Sequence, residues 1–233
     1  SEGQRYMKNH PISLGEAKRA LYLDFEGPGP SKATPDPLPL IAGVRCEGQY
    51  QATALDPTLS TLADRPDVDY LPLDGFLDEL LSWAHCEKRR IVFWTSHEKN
   101  LFISRGYPPG DVGFDAKIPT INHSALRHYF DEFRENTKRY RSSTTAKTTR
   151  AALRTKAFGL LTLIADDLGM PRPKGYGPGY VGKWIRSMLE QAKKKDGYDM
   201  WSPGVKKATT RLLKHNQHDC EATEFVLHYV LTH

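Results

Sequence analysis

The sequence predicts an α/β protein, with a mixed sheet flanked by helices and a helical C-terminal elaboration. The predicted elements run in the order three strands, a helix, a strand and then only helices. The apolar run IVFWT at 91–95 is typical of a strand buried on both faces. Beyond residue 122 apolar residues recur at helical spacing nearly to the end. A chain of 233 residues with 39% hydrophobic content can bury one full core.

The first predicted strand is RALYLDFEG, residues 19–27. Because side chains alternate along a strand, Asp24 and Glu26 project from one face, whereas Leu23 and Phe25 face the other way and can be buried. Two adjacent carboxylates are costly to bury unless a cation neutralises them. The pair therefore points to a divalent metal; the alternative is a surface strand end whose acids lie in water.

The segment after this strand predicts a loop and then a hairpin. Five prolines exclude residues 27–39 from a central strand or a helix interior. Residues 40–46 and 50–55 are two further predicted strands, joined through the turn at 47–49. Apolar residues between 76 and 84 recur at helical spacing, which predicts a helix with one face on the sheet.

The buried strand at 91–95 is followed by Glu98 and by a helix predicted over 99–106. Sites in open α/β sheets lie at the carboxyl ends of strands. Glu98 is therefore the third predicted carboxylate of the site, with Asp111 and Asp115 as the alternatives in a segment that predicts loop or short edge structure.

Four helices are predicted in the remaining chain, over 122–137, 151–168, 181–194 and 205–231. In the last of them Asp219 lies on the stripe of residues that faces inward, among apolar neighbours one and two turns away. The alternative is a helix-flank acid paired with a base such as Lys183. His218 is turned by about 100° from Asp219, which predicts a surface histidine.

Positive charge is concentrated in one part of the chain. Residues 137–215 contain 18 lysines and arginines against 5 acids, a net charge of +13, whereas the net charge of the whole chain is +5. Such segregation favours a polyanion as partner, and we predict a basic helical insertion at about 137–200 that contacts nucleic acid. A solvated helical surface is the alternative.

Six residues of this insertion are predicted to contact nucleic acid. Four basic residues follow one another without an intervening acid, and two tyrosines in PRPKGYGPGY could stack on bases. These residues are Lys147, Arg150, Arg154, Lys156, Tyr176 and Tyr180. For the tyrosines, a plain interhelical loop is the alternative.

The remaining composition excludes several classes of protein. No run approaches 18 apolar residues, so we expect no membrane span. The three cysteines are widely spaced, which argues against a disulfide framework and a structural zinc site and favours a reducing cytoplasm. Residues 1–18 form a polar N-terminal segment, and 19–233 form the main predicted domain.

Three segments together resemble a known family. LYLDFEG, IVFWTSHEKNLF and LLKHNQHDCEATEFVL are similar to the three motifs of the DEDD-type 3′→5′ exonucleases of the ribonuclease-H-like superfamily, in particular the predicted exonuclease domains associated with RecB-like nucleases. The resemblance implies a five-stranded mixed sheet flanked by helices, two Mg²⁺ or Mn²⁺ ions, and hydrolysis of single-stranded DNA or RNA. It also implies a helicase or nuclease as a partner protein.

The resemblance also implies a role for each matched residue. Asp24 would bind both ions, Glu26 and Asp219 would hold the ion that carries the attacking water, and Glu98 would support the other side. His215 would take the proton. Two features depart from the pattern: Glu98 stands where most members have aspartate, and His215 is a histidine at the tyrosine's spacing, four residues before Asp219.

Two other functions fit the same residues. One is a ribonuclease-H-like endonuclease, which would also cut a circular strand. The other is a non-catalytic nucleic-acid-binding module, in which the acids are structural.

Overall fold

A mixed β-sheet forms the centre of the described structure. The structure is a computed structural model that describes residues 10–29, 33–34, 36–142, 159–173 and 178–233. Its six strands are β1 (Leu21–Glu26), β2 (Ile41–Cys46), β3 (Gln49–Ala54), β4 (Val68–Tyr70), β5 (Ile91–Phe93) and β6 (Gly113–Asp115). Their spatial order is β4-β3-β2-β1-β5-β6.

The strand directions make the sheet mixed. β1 pairs antiparallel with β2, and β2 with β3, whereas the pairs β1–β5, β5–β6 and β3–β4 are parallel. The predicted α/β class and the hairpin of β2 and β3 are confirmed. The hairpin turn is shorter than predicted: Glu47 and Gly48 take positive φ values of 47° and 83°, as a two-residue turn between twisted strands requires.

The predicted strand number of five is wrong, because β4 adds a sixth strand at one edge. β4 has only three residues and follows a 3₁₀-helix at Pro57–Asp64. A strand that short shows no alternation that sequence reading could detect.

Eight helices surround the sheet in the described part of the chain. They are α1 (Leu14–Lys18), α2 (Leu73–Cys86), α3 (Ser96–Ser104), α4 (Lys117–Asn122), α5 (Arg127–Ser142), α6 (Leu160–Asp167), α7 (Pro178–Ala192) and α8 (Pro203–Thr232). α1 lies within the polar N-terminal segment, where Ser13 and Glu16 form a capping box. None of the described helices has the length and apolar character that a membrane span needs.

Successive side chains of β1 lie on opposite faces of the sheet, as the sequence pattern predicts. Leu21 and Leu23 are buried among residues of α2 and α3, and Phe25 contacts Phe76 and Phe102 there. On the opposite face Tyr22 is buried beside residues of α8. Asp24 and Glu26 share this second face, and the long helix α8 covers them.

α8 is fixed to the sheet at several points along its 30 residues. Ser202 caps its first turn, and Pro203 occupies a first-turn position where its missing N–H is not needed. Leu212 and Leu213 pack with Ile185 of α7, and Val226 packs with α5 and α6. Contacts on several sides explain why this helix buries more of its surface than a one-faced amphipathic pattern would suggest.

β5 ends two residues earlier than predicted, at Phe93. Thr95 has extended backbone and its side chain accepts a hydrogen bond from the His97 amide, so Thr95 caps α3. The predicted helix at 99–106 therefore begins at Ser96 and ends at Ser104. Glu98 lies in its first turn, not in a strand.

The three cysteines form no disulfide. Cys220 is buried, Cys46 is half-buried and Cys86 is exposed.

Candidate active site

The site begins with two carboxylates that β1 presents to α8. Glu26 is buried, and Asp24 is partly buried one step before it on the same face. Asp24 lies opposite Gly43 of β2, and Glu26 lies opposite Ile41. The pairing of β1 with β2 thus extends through both acids, whereas β5 pairs with β1 only at Leu21 and Tyr22.

α8 supplies the next two groups, His215 and Asp219, one helical turn apart. The Nε2 atom of His215 lies 3.6 Å from Oε1 of Glu26 and 3.7 Å from Oδ2 of Asp219. Ligand atoms of these three residues all lie within 4.8 Å of one another, a spacing that would allow one cation to contact all three. His215 is buried, whereas about a fifth of the Asp219 side chain is exposed.

The fourth carboxylate comes from the first turn of α3. Glu98 is buried, and the Thr95 hydroxyl donates a hydrogen bond of 2.6 Å to its Oε2. Burial raises the pKa of the Glu98 carboxyl, and the Thr95 hydrogen bond partly opposes that rise. The capping threonine therefore begins the helix and orients the acid.

The carboxylates raise one another's pKa because they share one centre. Burial raises the pKa of Asp24 well above its ordinary value, and the charges of Glu26, Asp219 and Glu98 raise it further. A hydrogen bond from Asn216 partly opposes this rise. The pKa of Glu26 is raised well above its ordinary value, first by burial and then by the charges of Asp219 and Glu98. The centre is thus short of positive charge.

Four buried polar atoms next to this centre have no hydrogen-bond partner within the described structure. They are Nδ1 of His215, both ring nitrogens of His218, and Oδ1 of Asp219. Buried polar atoms are hydrogen-bonded in most proteins, so atoms left without partners indicate room for a ligand. The oxygen-rich donor set fits hard cations such as Mg²⁺ or Mn²⁺, with one imidazole beside it.

The structure brings together the five predicted catalytic residues, Asp24, Glu26, Glu98, His215 and Asp219. Of the open alternatives for the second motif, Asp111 is exposed and pairs with His10. Asp115 caps the start of α4 by accepting a hydrogen bond from the Lys117 amide. Neither acid is among the charges that raise the pKa values of Asp24 and Glu26. The geometry therefore favours Glu98.

The prediction that His218 lies on the surface is wrong. Only 5% of its surface is exposed, and its Nδ1 lies 3.5 Å from Oδ1 of Asp219. The prediction assumed that α8 buries a single face. Because α8 packs against the sheet and against α4, α6 and α7, a position turned by 100° is still interior.

The predicted nucleic-acid contacts are only partly within the described structure. Lys147, Arg150, Arg154, Lys156 and Tyr176 lie outside the described residues. Tyr180 is 54% exposed and stacks on Trp184, with ring centroids 5.8 Å apart and planes 18° from parallel.

A cavity adjoins the acids and was not predicted from the sequence. It has a volume of about 390 Å³ and lies between the end of β1, the proline-rich loop and α3. Its lining includes Glu26 and Glu98 together with Phe25, Leu38, His97 and Leu101. The five prolines of the loop were the available signal, because they keep that segment outside the sheet beside the acid pair.

No protein-family model, curated protein or solved structure matches this chain.

Proposed function

We propose that the protein is a metal-dependent 3′→5′ exonuclease that hydrolyses phosphodiester bonds of single-stranded DNA or RNA. The observation that carries the proposal is the convergence of four carboxylates beside a buried histidine. The residues are Asp24, Glu26, Glu98, Asp219 and His215. Phosphodiester hydrolysis needs cations that balance the anionic phosphate and a group that accepts a proton, and this centre can offer both.

The fold supports the proposal at a coarse level. A mixed sheet flanked by helices is compatible with the ribonuclease-H-like fold that the motifs resemble. The three motifs are far apart in sequence, yet their acids meet in one place, from β1, from the start of α3 and from α8. A chance similarity of separate segments would give no reason for this meeting.

The residues of the centre fit two divalent cations, Mg²⁺ or Mn²⁺. Asp24, Glu26, Glu98 and Asp219 would hold them through carboxylate oxygens, which hard cations prefer. The unpartnered Oδ1 of Asp219 is a free oxygen ligand of this kind. When bound, such ions neutralise the charge of the phosphate and lower the pKa of a bound water.

His215 is the group of this chain that can move a proton. Its Nε2 points toward oxygens of Glu26 and Asp219, and we assign that atom as the acceptor of the proton from the attacking water. α8 holds the ring in a buried position, which limits the rotamers available to it.

The cavity beside Glu26 and Glu98 supports an exonuclease over an endonuclease. Its volume of about 390 Å³ falls in the range of sites for single small molecules, roughly 300–1,000 Å³. A pocket of that size suits one terminal nucleotide, whereas cleavage within a strand needs a groove open at both ends. The apolar side chains of Phe25, Leu38 and Leu101 can contact a base in it.

The basic region supports nucleic acid as the substrate. We expect Lys147, Arg150 and Arg154 to contact about three phosphates, so that log affinity falls as log salt rises. Replacing all three by alanine should then lower the slope for a single strand by about 2. An unchanged slope would place the nucleic acid on another surface.

The test is cleavage of 5′-labelled single-stranded DNA and RNA with and without Mn²⁺. We expect a ladder shortened stepwise from the 3′ end, dependence on the metal, and no cutting of a circular strand. In Asp24→Ala cleavage should disappear, whereas Asp78→Ala, which removes an exposed acid of α2, should cleave like the wild type.

Other results would overturn the proposal. Cutting of a circular strand would establish an endonuclease, and binding without cleavage under all metal conditions would establish a binding module. Full cleavage by Asp24→Ala or in excess chelator would remove the metal mechanism.

A further inference from the structure

Asn216 is a buried polar residue that lies between the two catalytic groups of α8. It follows His215 directly and precedes Asp219 by three residues, and none of its surface is exposed. A carboxamide is expensive to bury unless its donors and acceptor are all hydrogen-bonded. The contacts of Asn216 therefore show what this residue does.

The carboxamide of Asn216 joins three segments through hydrogen bonds. Its Nδ2 donates to the main-chain oxygen of Asp24 at 3.1 Å and to the Asp24 carboxylate Oδ2 at 2.7 Å. Its Oδ1 accepts a hydrogen bond of 2.7 Å from the Tyr50 hydroxyl. The amide orientation is determined by chemistry, because a main-chain oxygen can only accept and so must face the NH₂ group.

Gly43 provides the space for this side chain. It lies opposite Asp24 in the sheet register, and a Cβ atom placed on it would lie 1.6 Å from Oδ1 of Asn216 and 2.7 Å from Cε2 of Tyr50. No side chain can occupy that space while Asn216 is present. One turn further along α8, the Cys220 thiol lies 3.5 Å from the Gly43 carbonyl oxygen. Two successive turns of α8 thus contact the sheet at this glycine.

We propose that Asn216 is the positioning residue of the acid centre, and that Tyr50 and Gly43 hold it in place. This inference rests on the proposed metal centre and names the residue that sets its geometry. The Asn216 amide fixes one oxygen of Asp24, so that the carboxylate keeps a single orientation. Because His215 and Asp219 are on the same helix, the same contact sets their distances from Glu26.

The inference is tested by Mn²⁺ binding, measured by calorimetry or electron paramagnetic resonance without nucleic acid. Hydrogen-bond partners of metal ligands typically change metal affinity by 10–100-fold, so we expect Asn216→Ala to bind Mn²⁺ about 10–100-fold more weakly. Tyr50→Phe removes only the outer hydrogen bond and should weaken binding about 2–10-fold. Thr209→Val is the matched control, because the Thr209 hydroxyl is buried and bonds only within α8.

The outcomes are separable. If Asn216→Ala and Tyr50→Phe fold and bind Mn²⁺ like the wild type, the positioning role is overturned. If Asn216→Ala does not fold, as seen by circular dichroism, the Tyr50→Phe affinity decides, and an unchanged value overturns the inference. A loss of affinity in Thr209→Val as large as in Asn216→Ala would also overturn it, because any buried change in α8 would then suffice.

The proposed function can fail separately from this inference. A wild-type protein that binds Mn²⁺ and cleaves neither DNA nor RNA would overturn the nuclease and leave the positioning role standing, provided that the variant affinities differ as expected.

Discussion

The two ends of β5 differ in whether their buried charged side chains have hydrogen-bond or ion-pair partners. At its start, Arg89 and Arg90 are both less than a tenth exposed. The Arg89 guanidinium donates to carboxylates of Glu87 and Glu47 and to the main-chain oxygen of Arg19. Arg90 donates to the main-chain oxygens of His10, Pro11 and Val112. Every branch of both guanidinium groups has an acceptor.

At the other end of β5 the charges are left unbalanced. Asp24, Glu26, Glu98 and Asp219 lie together, and no lysine or arginine among the described residues forms an ion pair with any of them. The imidazole rings of His215 and His218 lie beside Asp219, and His97 lies near Glu98. Buried charges that serve the fold are usually paired, and the unpaired acids at this end are the feature on which the proposed cation binding rests.

Among changes that leave all four acids in place, the largest effect is expected from His215→Ala. Loss of a general base typically lowers the rate about 10²–10⁴-fold, and single-turnover cleavage at saturating Mn²⁺ measures it. Far-UV circular dichroism should stay unchanged. His85→Ala, which removes an exposed histidine of α2, is the control and should keep the wild-type rate. A wild-type rate in His215→Ala would show that His215 serves the fold, as Arg89 and Arg90 do, and takes no part in cleavage.

Removing a charge at the paired end should harm the fold and not the chemistry. In Arg89→Met we expect a loss of about 1–3 kcal/mol in the free energy of unfolding, because the Arg19 carbonyl oxygen loses its donor. Glu47 and Glu87 are about half exposed, so they regain water and limit the loss. Urea unfolding measures it, with Lys88→Met as the exposed control. Stability equal to wild type would mean that pairing does little at this end.

Removing a charge from the acids at the end of β5 should stabilise the protein. Without metal, Glu26→Gln should raise the free energy of unfolding by about 0.5–2 kcal/mol, because one of several repelling charges is gone. The same variant should bind Mn²⁺ more weakly. Urea unfolding in chelator measures the gain, and Glu79→Gln on the exposed side of α2 should show none. A destabilised Glu26→Gln would mean that the acid serves the fold.

The smallest expected effect is a pH dependence of stability without metal. The pKa values of Asp24, Glu26 and Glu98 are higher in the folded than in the unfolded protein, so the folded state binds more protons above the ordinary carboxyl range. Stability should therefore fall as pH rises from about 5 toward 8. The lowered pKa values of Glu16 and Asp67 act below this window.

Thermal unfolding in chelator at several pH values checks this sign. Mn²⁺ should restore stability most at the highest pH, and Glu26→Gln should show a flatter profile than the wild type. A stability that rises with pH between 5 and 8 in chelator would contradict the raised pKa values.

The sequence predicts those parts of the site whose side chains follow the regular spacing of a strand or a helix. Alternation placed Asp24 and Glu26 on one face of β1, and helical spacing placed Asp219 on the inner side of α8; both placements agree with the structure. Glu98 was predicted between the strand at 91–95 and a helix at 99–106, but it lies inside that helix, because the Thr95 side chain already caps a helix that begins at Ser96.

The remaining features depend on contacts between distant segments. His218 was misplaced because its burial depends on helices that pack against α8 from other sides, which the pattern of one helix cannot reveal. Asn216 lies three residues before Asp219 in α8, but its partners Tyr50 and Asp24 are 166 and 192 residues away in the chain. A polar residue in an apolar stripe was the only local signal of that network.

The distance along the chain between β1 and α8 has a consequence for synthesis. Asp24 is made before α8, and His215 and Asp219 reach it only after some 190 further residues have been added. At about 5–20 residues per second this takes roughly 10–40 s, during which the acid pair exists without its partners. We expect ribosome-bound chains that stop before residue 203 to show no Mn²⁺-dependent cleavage, which an assay of arrested chains would measure. Under the proposed function, the enzyme would stay inactive beside the messenger RNA that encodes it until α8 has been made.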